Sequence, residues 1–90
     1  MSKVVITVVG KDTIGIIARV CTYLAESNIN ILDISQTIVQ DYFNMMMIVD
    51  MASASKSFDA VARDLYAIGV GLGLRIRCQR EEIFDKMHRV

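Results

Sequence analysis

The sequence contains no proline and only five glycines in 90 residues, so no Pro/Gly/Ser-rich linker divides it, and residues 1–90 read as one domain. It has no tryptophan and a single histidine, His88, which removes the usual partner for a nucleophile or a metal cluster. It has two cysteines, Cys21 and Cys78, far apart and without CxxC spacing, which excludes a redox dithiol and a loop metal carrier of that kind. Both fall at positions that read as inward-facing, as expected of reduced thiols in a cytoplasmic protein. Net charge is absent too. Ten basic and ten acidic side chains cancel, so no global field draws the chain to nucleic acid or to an anionic membrane. No apolar run approaches the ~18 residues of a membrane span. The run Val4 to Val9 is too short for a signal segment and has no small-residue cleavage site behind it.

What the sequence does have is hydrophobicity. Apolar residues make up 53% of it, enough for a core and somewhat more than a small isolated domain needs, which points to apolar surface covered by a partner. Their periodicity gives the order of elements. Val4 to Val9 is β-branched and apolar on both faces, as in a central strand. Ile17, Val20, Cys21 and Leu24 follow helical spacing, with Asp12 or Thr13 as the expected cap and Ser27-Asn28 as the end. Ile29 to Gln40 alternates, with Ile34 and Ile38 on one side and Asp33, Ser35 and Thr37 on the other, as in a half-exposed strand. After a turn at Asp41, Phe43 to Met51 is again apolar on both faces. A second helix, capped near Ser55 or Ser57, carries Phe58, Val61, Ala62, Leu65 and Ile68, and glycines 69, 71 and 73 close it. Leu74 to Gln79 alternates once more, and Glu81 to Arg89 reads as a short terminal helix.

The order β-α-β-β-α-β predicts an α+β, ferredoxin-like sandwich: an antiparallel four-stranded sheet, two helices on one face, and a short C-terminal helix. That topology puts the first and third strands in the centre, where the two doubly apolar strands belong. The edges differ. Arg75 and Arg77 protect the fourth strand, whereas the second has no Lys, Arg or Pro to discourage pairing. Residues 30–39 are therefore expected to pair with a second copy in a two-fold homodimer.

Gly10 and Gly15 have the G-x-x-x-x-G spacing that opens a phosphate-binding loop, but Ile16 and Ile17 stand where Lys and Ser/Thr must follow. What survives is a strand-to-helix turn whose free N–H groups suit a carboxylate, with Lys11 and Asp12 able to complement the carboxylate and ammonium of an amino acid. Gly15 has a second reading, in which it lets the helix pack close to the sheet.

The stretch G-K-D-T-I-G-I-I-A-R-V, followed by N-I-N-I-L-D-I-S-Q-T at 28–37, resembles the ACT domain, a small regulatory ligand-binding module. Nearly the whole chain, including E-I-F-D-K-M-H-R, is similar to small bacterial single-ACT-domain proteins related to the glycine cleavage system transcriptional repressor. The resemblance implies an effector, typically an amino acid, bound at a subunit interface. It makes Gly15 the turn glycine, Asp12 and Ile14 its loop neighbours, and Asn30 the polar residue at the start of the second strand. Many ACT domains have proline where this chain has Ile14. The other asparagine here, Asn28, is an ordinary turn residue.

Other chemistries fall away on residues. Met45, Met46 and Met47 cannot surround one ion, because strand neighbours point to opposite faces. Core filling suits them better. No paired carboxylates support acid-base catalysis. An acylphosphatase-like enzyme lacks its loop arginine, and an RNA-binding sheet lacks aromatics on the first strand. No catalytic residue, metal or cofactor is expected. The rival to an effector sensor is an adaptor whose dimer binds protein and no small molecule.

Overall fold

The computed structural model describes residues 2–82. Its elements are β1 (Lys3–Lys11), α1 (Ile16–Glu26), β2 (Asn30–Val39), β3 (Tyr42–Asp50), α2 (Phe58–Leu72) and β4 (Leu74–Arg80). They form one antiparallel sheet in the order β2-β3-β1-β4, the ferredoxin-like arrangement with β1 and β3 central. The terminal helix expected over Glu81 to Arg89 lies almost wholly outside the described residues.

The central strands explain the layer. Val4, Ile6 and Val8 of β1 stand opposite Val49, Met47 and Met45 of β3, and all six are buried. This side receives Val20 and Leu24 from α1 and Val61 and Leu65 from α2. Each such side chain contributes roughly 1.5–3 kcal/mol when removed from water. Met46 points the other way and is 39% exposed while Met45 and Met47 are fully buried, the alternation that separates the three thioethers. Cys21 and Cys78 are free, partly buried thiols against the core, and burial pushes Cys78 up to about 12.

Three local expectations need correction. Neither Asp12 nor Thr13 caps α1: the N-cap is Gly15, and no side chain accepts a cap hydrogen bond. The helix starts one residue earlier than its pattern suggested, so Ile16 is buried and Ile17 is 39% exposed. Helix α2 does begin at Ser57, whose hydroxyl accepts from the Ala60 amide at 3.2 Å, but it runs through Gly69 and Gly71 to Leu72. Only Gly73 closes it. Gly69 serves contact with β4, since a Cβ there would lie 2.8 Å from the Leu74 carbonyl oxygen. Finally, β2 is exposed on both faces except at Ile31, which is half-buried. Leu32 forms a bulge, and the helical layer leaves Ile34 and Ile38, 41% and 52% exposed, uncovered at the sheet edge.

Candidate functional site

Strand β1 ends at Lys11, and the chain reverses into α1 through residues 12–15. The Asp12 amide donates to the Asp41 carbonyl at 2.7 Å, tying this connection to the β2–β3 hairpin turn. Gly15 then adopts φ 89°, ψ 5°, a left-handed conformation that L side chains rarely enter. An added Cβ at Gly15 would meet nothing within 4 Å, so the close-packing explanation fails and the backbone angle is what requires glycine.

The first helical hydrogen bond is from the Arg19 amide to the Gly15 carbonyl, 2.9 Å. The amides of residues 16–18 precede it and have no intrahelical acceptor. With no capping side chain and no acidic residue in the first turn, the positive end of the α1 dipole is left uncompensated.

A cleft of about 330 Å³ opens beside this helix start. The turn supplies Asp12, Thr13 and Gly15; the first turn of α1 supplies Ile16, Ile17 and Ala18; the edge supplies Gln36 and Ile38 from β2 and Phe43 from β3. Ile38 and Phe43 are register partners, so the cleft lies on the helix side of the sheet, where α1 fails to reach the edge strand. Its interior is mainly apolar, and Asp12 is the one charged residue among those lining it.

The five residues singled out in the sequence separate here. Asp12 and Gly15 line the cleft. Lys11 is the register partner of Tyr42, and strand alternation puts both on the face away from the helices, with Val9. Ile14 stands at the tip of the turn, 99% exposed, outside the cleft. Asn30 is register partner to Asp50, at the opposite end of the sheet from the β1–α1 turn. The ten residues of β2 separate it from that turn by roughly 25–30 Å. Asn30 instead borders a second cleft of about 340 Å³ with Ala25, Asn28, Ile29 and Ser53, where the Asn28 amide already donates to the Ser53 carbonyl at 2.8 Å. Sequence reasoning missed Gln36, Ile38 and Phe43 as cleft residues. For Ile38 the available signal was an apolar residue on the inward side of a strand that the topology puts at an edge.

Residues 2–79 match the family model of the ACT domain. The chain belongs to the ACT domain family. This is a family of regulatory ligand-binding modules. The chain is 66% identical to a UPF0237 protein of Bifidobacterium longum over the full length of both. Among solved structures it is similar to an ACT domain protein from Streptococcus pneumoniae, with TM-score 0.80 and 40% identity over 93% of this chain and 94% of that one. It also resembles a proposed glycine cleavage system transcriptional repressor, with TM-score 0.74 and 25% identity over 88% of this chain but only 45% of the other. No helix among the described residues is long and apolar enough to cross a membrane.

Proposed function

We propose that this chain is a non-enzymatic, cytoplasmic sensor that binds a free amino acid in the cleft beside the α1 start, as a homodimer joined through β2, and passes that state to a protein partner. The observation that carries the reading is the conjunction, in one cleft, of an uncapped helix N-terminus, the Asp12 carboxylate and apolar walls. The amides of residues 16–18 would donate to the ligand carboxylate, and Asp12 would accept from its ammonium. Gly15 belongs to the site through its backbone, which holds these groups in position. Lys11 and Ile14 act at the rim or not at all.

The dimer does not bring the Asn30 side chain into the cleft. Two copies of β2 paired antiparallel about the middle of the strand would set Asn30 of a second copy opposite Val39, on the sheet face away from the helices, whereas the cleft lies on the helix side. The exposed edge with no Lys, Arg or Pro supports this pairing.

The test is a thermal-shift panel of the free amino acids. At one hundred times its Kd a ligand adds about 2.7 kcal/mol, which in a domain of this size raises Tm by roughly 10–20 °C. At least one amino acid is expected to give a saturable shift, and flat melting curves across the panel at millimolar ligand would sink the sensor. In that case the adaptor reading takes over, favoured by the exposed Val9, Val39, Tyr42 and Met46 on the sheet face away from the helices.

A further inference from the structure

Resting on the amino-acid reading above, we infer that the cleft selects a neutral amino acid with an aliphatic side chain and rejects acidic ones. The inference follows from what surrounds the space left for that side chain. Ile17 of α1 and Ile38 of β2 both line the cleft, 39% and 52% exposed, together with the buried Phe43 and Ile16. Ile17 and Ile38 are large apolar groups left partly in water by the isolated chain, and a ligand side chain that covers them gains apolar contact with both.

Charge sharpens the choice. Asp12 is the charged residue of the cleft, and no Lys or Arg lines it. Lys11 lies on the opposite face of the sheet. Pairing with a second copy does not supply a cation from the edge, because β2 reads NILDISQTIV and contains no Lys or Arg. A side-chain carboxylate would enter a partly desolvated space holding Asp12 and no counter-charge, which disfavours it. Nucleotide phosphates are disfavoured for the same reason. A volume of about 330 Å³ leaves room for a branched four-carbon side chain.

Calorimetric titration of the full chain with glycine, L-alanine, L-valine, L-leucine, L-aspartate and L-glutamate tests this. Each methylene taken from water is worth about fourfold in affinity, so leucine is expected to bind about ten- to a hundredfold more tightly than alanine, and aspartate and glutamate more weakly than alanine. Ile38→Ser should cut leucine affinity by about tenfold while leaving alanine almost unchanged. Ile38 is half exposed in the single chain, so the variant should still fold, and light scattering of the unliganded variant separates loss of leucine affinity from loss of the β2 pairing. Glycine or alanine binding as tightly as leucine, or glutamate binding best, overturns the selectivity and leaves amino-acid sensing intact. Silence from all six ligands and from the remaining amino acids overturns both.

Discussion

At Gly15 one residue combines a backbone requirement with a position in the cleft. With φ at 89° and open space where a Cβ would go, Gly15→Ala meets no steric neighbour but must hold an L residue in the left-handed region. The expected cost is about 1–2 kcal/mol, which corresponds to a fall in Tm of roughly 4–16 °C by calorimetry. Gly15→Asn should cost less, because asparagine tolerates that conformation better. Equal losses for the two variants would show that the site resents any side chain and not only the angle. Ile14, exposed at the tip of the same turn, should tolerate polar substitution with little change in stability.

At the scale of elements, the two helices meet in few places, and one polar link joins them. Tyr23 of α1 donates its hydroxyl to Asp64 Oδ2 of α2 at 2.6 Å, and Lys56 Nζ reaches the same oxygen at 2.9 Å while lying 5.1 Å from the Tyr23 ring centroid. The Tyr23 hydrogen bond, and after it the Lys56 one, hold the Asp64 carboxyl below its ordinary value. Burial, and next the bond to Asp64, raise the Tyr23 phenol. A carboxyl whose folded pKa is depressed stabilises the fold above its unfolded pKa, and the contribution is lost as pH falls through the folded value. Melting temperature should therefore drop as pH is lowered below about 4, and Asp64→Asn should lower Tm at pH 7 while flattening this acid limb. Tyr23→Phe removes the hydrogen bond that contributes most to the depressed Asp64 carboxyl and should weaken the same pH dependence. An acid limb identical in parent and Asp64→Asn would rule out the link as its source.

At the scale of the whole molecule, the four strands leave two unequal edges. On β4, Arg75 and Arg77 are exposed and oppose pairing, while β2 carries exposed Leu32, Ile34, Ile38 and Val39 with no basic residue or proline. Light scattering at tens of micromolar protein should give the mass of a dimer. Ile34→Lys introduces a charge at a position 41% exposed in the single chain and should yield a folded monomer. A monomeric parent protein would overturn the pairing through β2.

The order of the elements, the central place of β1 and β3 and the two faces of the Met45–Met47 run were legible in the sequence, because each rests on periodicity, which a chain carries in its own residue spacing. Membership of the ACT family was legible only as a resemblance, through the stretches G-K-D-T-I-G-I-I-A-R-V and N-I-N-I-L-D-I-S-Q-T. The sequence narrowed the α2 cap to Ser55 or Ser57, both serines just ahead of the helical pattern, and the structure selects Ser57. The α1 start was misread because Asp12 and Thr13 are good capping residues by type, and only the path from β1 into the helix decides that Gly15 takes the position. The membership of the cleft was decided at the tertiary level for the same reason. Gln36, Ile38 and Phe43 come to Asp12 and Gly15 through strand register and the reach of α1, whereas Asn30 begins β2 at the far end of the sheet, where α1 has carried the chain. Spacing fixes which side of a strand a residue occupies; only the packed layers decide what stands across from it and what is left uncovered.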